Sequence, residues 1–467
     1  MNTKINTSLL FISFILLANC IGQNYSQYTY NWALHATEEV TCINSFGNDT
    51  TIMAGYRLVP DYQNPHEINK AFYLQFADGS GNLIESHTYW NDWLTNYYRL
   101  PKAIEKGADG NLFIVGMHKG DQESFPWIMK TNKRGRKLWE NNLGIADLPQ
   151  KDGAFNAVVP SSDGGCVALG YFVDNSNGSP GIKRTFIMQF DHLGQVQQMK
   201  VLSLSDGIDL TLLDDGSYCI FAQNDQGEIG VAKVDSGFNP VWYRTYYSNH
   251  SGRFSAVKMK KGIDENVLIT GIMTFGLDTK QVYLLSLNTY YGSINWQNIF
   301  AWDGMPEDSI NVSGMDVDDE GNIYISGNVS TSINTLLLDP VFETNAFILK
   351  ANKHGLGLWA KEYGQDHFEE LSNDLHVAAN GDLILGGSRK SNGSSINSSF
   401  IHKITPSGNT DCFSIAHIII SYNYKFYSNN HQLTTSEREF YLPTFQSKHG
   451  WKAIDAFQRF NSCGGNG

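Results

Sequence analysis

The chain has 467 residues and a formal net charge of −13, with 34 Lys and Arg against 47 Asp and Glu. That balance argues against the clustered basic surface a nucleic-acid partner needs. The length exceeds one ordinary compact core but suits one closed repeat domain, and the 23 Tyr, 10 Trp and 17% charged residues are a β-rich exported composition.

The N-terminus opens with Lys4 and an apolar stretch, Leu9–Ala18, which suits the core of a signal peptide over residues 1–22 and is too short to cross a bilayer. No later run reaches about 18 apolar residues, so no transmembrane helix is expected. Two cleavage points remain open. Leu17–Cys20 ("LANC") looks like a bacterial lipobox that would lipidate Cys20, although Asn19 stands where Gly or Ala is usual. An ordinary cut before Gln23 is the alternative. The expected location is secreted, cell-surface or outer-membrane-attached through a lipid anchor, or periplasmic.

Tyr30–Ile43 reads as a strand carrying Trp32 followed by a second strand. From there a motif recurs seven times: a turn, an apolar run and a small residue. The copies begin at Asp49, Gly110, Gly164, Gly216, Glu265, Gly321 and Gly381, with steps of 49 to 61 residues. Each copy is followed by a strand, a Gly turn and often a Trp, as in Trp127–Trp139, Gly230–Trp242, Val282–Trp296 and Ala346–Trp359. An apolar segment such as Phe155–Ser161 precedes each copy. Each unit is therefore four short strands, A to D, and units of this size are propeller blades. The B runs, such as Leu112–Val115 and Ile323–Ile325, are apolar throughout. A sheet covered on both faces by its neighbours explains that.

The expected fold is an all-β, seven-bladed propeller of four-stranded antiparallel blades over residues 30–407. The N-terminal strand near Tyr30–His35 closes the last blade, and residues 408–467 form a strand and packed tail. Asp163-Gly164-Gly165, Lys233-Val234-Asp235, Gly135 with Trp139, and Gly355 with Trp359 carry a resemblance to secreted bacterial propellers and the quinoprotein-like superfamily. That resemblance implies the architecture. It transfers no quinone or calcium pocket to particular residues, and no cofactor is expected.

Six cysteines occur without a CxxC pair, which leaves zinc and thioredoxin chemistry unsupported. Cys42, Cys166 and Cys219 lie in apolar strands and read as small buried hydrophobes. Cys412 and Cys463 bracket the tail, and export permits a disulfide between them. Acids recur near the start of strand A: Glu38, Asp152, Asp206, Asp308 and Glu370. They read as acceptors for turn amides. Asp316–Gly321 ("DVDDEG") resembles half a calcium loop but lacks the closing Glu, so a plain turn is expected and no metal site. No HExxH, GxSxG or Walker A pattern assigns a catalytic residue.

Short A–B and C–D turns define one face. Long B–C and D–A links, such as Arg57–Ala71, Ser86–Leu100 and Trp302–Asn311, define the other. Variable links on a rigid frame carry function, and their aromatics suit a glycan or a protein partner. Trp90, Trp93 and Trp302 are the expected ligand-binding residues. The leading reading is a non-enzymatic binding scaffold. The alternative is a quinone-dependent dehydrogenase or a glycan-active hydrolase or lyase with axial carboxylates. Acids, His or Arg meeting in one axial funnel would favour the enzyme, and an apolar or plugged axis the binder.

Overall fold

In a computed structural model of the protein, residues 27–461 are described except 32–37, 48–49, 61–67, 90–97, 121–122, 146–151, 175–180, 224–227, 249–252, 276–278, 303–309, 334–340, 365–367, 392–396, 411–413, 418, 423–425, 432–434, 437–439 and 442–457. Every regular element among them is a β-strand. Seven antiparallel sheets form the blades, each starting from its inner strand in chain order. The inner strands are Glu38–Phe46, Tyr98–Lys106, Gly153–Pro160, Asp206–Leu212, Arg253–Lys261, Ile310–Val317 and Phe368–Val377. The first six blades take strands A to D from consecutive sequence.

The seventh blade is composite. Its A, B and C strands end at Asn397–Ile404, and Gln27–Asn31 pairs beside them as strand D, with Thr29 opposite Phe400. The first and last parts of the chain thus share one sheet. The closing strand begins three residues before the expected Tyr30, and Trp32 lies outside the described residues.

The turns explain the repeat. At all thirteen A–B and C–D turns, and at the turn after strand C of blade 7, one residue has a positive φ within 51–84°. Glycine fills the place at Gly47 and eleven other turns, and Phe238 and Glu265 fill the remaining two. That conformation is open to glycine and costly for other residues. An Asp or Asn at the turn start caps the backbone: Asp318 Oδ1 accepts from Glu320 N at 3.1 Å and Asn322 N at 2.8 Å. Within "DVDDEG", Asp318–Gly321 forms the A–B turn of blade 6.

The D-strand Trp packs beneath the next blade's C–D turn. A Cβ on Gly355 would sit 2.4 Å from the Trp296 ring, and one on Gly194 2.7 Å from Trp139. Trp139 Nε1 also donates to His192 O at 3.0 Å, and Trp242 Nε1 to Thr289 O at 3.1 Å. The Gly and Trp of the motif are thus one inter-blade contact, which clears room for the ring and satisfies its N–H. Cores lie between neighbouring blades, for example Phe155, Phe172 and Phe186 against Val115 and Ile128.

Cys42, Cys166 and Cys219 are buried free thiols in these layers. Cys20, Cys412 and Cys463 lie outside the described residues, as does the proposed signal segment.

The tail forms a belt. Ser414–His417 adds a fifth strand to blade 6, Ile419–Tyr422 to blade 5, Phe426–His431 to blade 4 and Thr435–Ser436 to blade 3. Phe440–Tyr441 then pairs with Gly144–Ile145, just past the last strand of blade 2. Gln458–Asn461 pairs with the N-terminal strand on blade 7. The tail thus runs round the rim against chain order, covering edges that would otherwise pair with other chains.

Candidate functional site

The site follows from an irregularity repeated in every blade. Each inner strand carries a β-bulge opposite its B strand: between Val40 and Cys42, Pro101 and Ala103, Phe155 and Ala157, Gly207 and Asp209, Ala256 and Lys258, Val312 and Gly314, and Ser372 and Asp374. A bulge leaves one extra residue unpaired and re-aims it. The small residue that ends the apolar motif sits opposite. A Cβ on Gly55, Gly116, Gly271, Gly327 or Gly387 would lie 1.9 Å from an inner-strand carbonyl oxygen, such as Ser255 O for Gly271. Glycine therefore accommodates the bulge.

The seven extra residues are half-buried and face one axial cavity of about 460 Å³. Its size falls in the range of about 300–1,000 Å³ common for small-molecule sites. Polar bulge residues come from five blades: Thr41, Lys102, Asn156, Ser313 and Asn373. Blades 4 and 5 supply the apolar Ile208 and Val257. Glu39, Lys258 and Asp374 add charge to the wall. At the level of Glu39, toward the B–C and D–A links, Ser255, Asn311 and Leu371 are exposed. The cavity therefore opens on the long-link face.

The ring is cross-braced. Lys102 Nζ donates to Asn156 Oδ1 at 2.7 Å, and Asn156 Nδ2 donates to Gly207 O at 2.6 Å, linking blades 2, 3 and 4. Asn373 Nδ2 donates to Val40 O at 2.7 Å across the closing seam. Ser313 and Ser372 hydroxyls meet at 2.9 Å.

Deeper along the axis, carboxylates clamp successive blades. Asp209 Oδ2 accepts from Met259 N at 2.9 Å, Asp316 Oδ2 from Val377 N at 2.8 Å, and Asp374 Oδ2 from Ile43 N at 3.0 Å. Lys258 stands 3.7 Å from Asp209, Lys260 3.5 Å from Asp316, and His376 Nδ1 3.2 Å from Asp316. Burial pushes the carboxyl of Glu105 up against the pull of Lys260 and Lys258. Burial also raises Asp374, opposed by Lys258 and two backbone N–H groups. Among the described residues no group of three His, Cys, Asp or Glu is placed to hold a metal ion.

Tyrosines and lysines rim the entrance. Tyr56 donates to Glu39. Lys70 Nζ lies 4.5 Å from the Tyr56 ring centroid and 5.1 Å from that of Tyr98. Lys183 lies 4.4 Å from the Tyr171 centroid and pairs with Asp206 at 2.5 Å.

The acids expected to cap turns do other work. Glu38 pairs with Arg57 at 3.2 Å and Glu370 with Arg389 at 3.1 Å, all four buried. Asp152 accepts from Ser124 of the preceding blade. These acids fasten the entry of strand A to its own blade or the one before. Asp308 lies outside the described residues.

Trp90 and Trp93 lie outside the described residues. Trp302 ends the outer strand of blade 5, opposite Ile419 of the belt, so its backbone is in a ladder rather than a free link. The long links are shorter than expected, because their flanks continue as strands. Blade 1 pairs Thr50–Pro60 with Ile68–Asp78, and blade 6 pairs Ile323–Ile333 with Val341–Ala351. The bulge residues were missed: their type differs in every blade but two, so only the facing small residue announces them.

No protein-family model matches the chain, and no curated protein matches it. Among solved structures it is similar to the Dos1 propeller, 9% identical with a TM-score of 0.44, over 83% of this chain and 96% of that one. A protein of unknown function from Dyadobacter fermentans DSM 18053 is 9% identical with a TM-score of 0.44, over 81% and 98%. The polysaccharide lyase Uly1 is 10% identical with a TM-score of 0.43, over 84% and 94%. At these scores none of them bears on what this chain does.

Proposed function

We propose that this protein is an exported binding scaffold that takes a protein or glycan partner on its long-link face, centred on the axial cavity. The observation that supports this reading is the ring of seven half-buried bulge residues, which offers amide, hydroxyl and ammonium groups beside one apolar wall. Such a mixture suits a ligand with many hydroxyls, and rim tyrosines suit stacking. Screening against glycan and surface-protein arrays tests it. Trp90→Ala, Trp93→Ala and Trp302→Ala then test the outer contacts, since losing a true anchor costs at least about 1–2 kcal/mol. Unchanged affinity in all three would remove those residues from the site. Mass spectrometry of the mature protein tests export: a lipidated Cys20 or a start at Gln23 supports it, and an intact Met1 contradicts it.

A second reading, a glycan-active enzyme, draws support from the acids, lysines and His376 that converge on the axis. Many of them already clamp blades together through backbone N–H groups or ion pairs. For that reason binding is favoured. Release of new glycan ends on incubation would reverse the order.

A further inference from the structure

We infer that the axial cavity takes the carboxylate-bearing end of a glycan, a sugar acid, with Lys102 as the anchor for its charge. This deepens the binding reading and rests on it. Lys102 is placed by the bulge of blade 2 and lines the cavity. Its Nζ donates to Asn156 Oδ1 at 2.7 Å and lies 5.5 Å from the Tyr171 centroid.

No ion-pair partner for it stands among the described residues, whereas neighbouring lysines have theirs: Lys258 with Asp209, Lys260 with Asp316 and Lys183 with Asp206. The carboxylates on the cavity wall are engaged, Glu39 by the Tyr56 hydroxyl and Asp374 by the N–H groups of Ile43 and Leu375. Lys102 is therefore the cavity ammonium with no carboxylate in contact, Asp206 and Asp152 acting on it only from farther off, and a partly buried charge without a close partner is costly. Burial pushes its pKa down to about 8, Lys183 adding to the effect while Asp206 and Asp152 oppose it. A bound carboxylate would supply the missing partner. Asn156, Thr41 and Ser313 offer donors and acceptors for ring hydroxyls, while Ile208 and Val257 offer a surface for a sugar's C–H face.

The test is calorimetric titration of the full chain with galacturonate and glucuronate oligosaccharides, their methyl esters, and matched neutral oligosaccharides. The acids are expected to bind at least tenfold more tightly than the esters. Lys102→Gln should bring the acids down to the affinity of their methyl esters, and Lys102→Arg should keep most of the preference. Binding of the acid should weaken as pH rises through about 8, where Lys102 loses its proton in the free protein. Glu39, Asp374 and Lys258 are the other charged groups facing the cavity. NMR of methylated lysines assigns the change, because the Lys102 pKa should rise on saturation. Equal affinity for acid and ester, or an unaltered preference in Lys102→Gln, overturns this inference and leaves the wider binding reading standing. Failure of every glycan and every arrayed protein to bind overturns both.

Discussion

Glu140 in blade 2 shows how much one buried carboxylate organises. It accepts from Arg99, from Lys137 Nζ at 2.8 Å and from Trp127 Nε1 at 2.8 Å. Burial alone would raise its pKa, but Arg99 and Lys137 override it and hold the carboxyl down at about 2. A depressed carboxyl stabilises the fold above its ordinary pKa, and that contribution is lost as pH falls from about 4.5 toward about 2. The shift corresponds to roughly 3 kcal/mol at most. Glu140→Gln should therefore lower stability near neutral pH by about 2 kcal/mol and by much less at pH 2, read from denaturant midpoints. An equal loss at both pH values would contradict this account. The turn glycines are the residues most legible in the sequence, because a positive φ leaves few alternatives. Glu265, with φ 51°, is one of two turn residues that break the rule. Glu265→Gly should raise stability by about 0.5–1 kcal/mol after the added chain entropy of glycine. A lower melting temperature would show that its side chain outweighs the backbone strain.

At the scale of the strand, the four-strand unit and its seven-fold repetition could be read directly, because turn, apolar run and Gly–Trp pairing are local chemistry. The bulge could not. Its signature is split between a B-strand glycine such as Gly271 and an inner-strand residue such as Val257, which share no motif. The long links are shorter than the sequence suggested: the flanks of Arg57–Ala71 pair as a two-stranded ribbon that needs no apolar alternation. Because a Cβ on Gly271 would meet Ser255 O at 1.9 Å, Gly271→Ala must shift backbone or flatten the bulge. A loss of about 2–3 kcal/mol is expected, together with displaced NMR signals for Val257 and Lys258. A neutral substitution would mean that the bulge does not depend on the glycine.

At the scale of the molecule, two devices complete the ring. One is the shared seventh sheet, legible in the strand-like segment near Tyr30. The other is the belt, which was not legible because pairing at a sheet edge uses backbone groups and leaves little trace in side-chain pattern. Removing residues after Thr410 would uncover the outer strands of blades 3 to 6, which the belt now pairs. The truncated protein should self-associate in light scattering, as exposed strand edges do. A truncated form that stayed monomeric and equally stable would show the belt to be dispensable. The central claim is that the repeated bulges build a binding site open to the long-link face. Hydrogen–deuterium exchange, with and without the tightest partner found on the arrays, tests it most directly. The account predicts protection at the inner-strand positions around Thr41, Lys102, Asn156 and Asn373. Protection confined to the opposite turns, around Gly164 and Gly194, would contradict it.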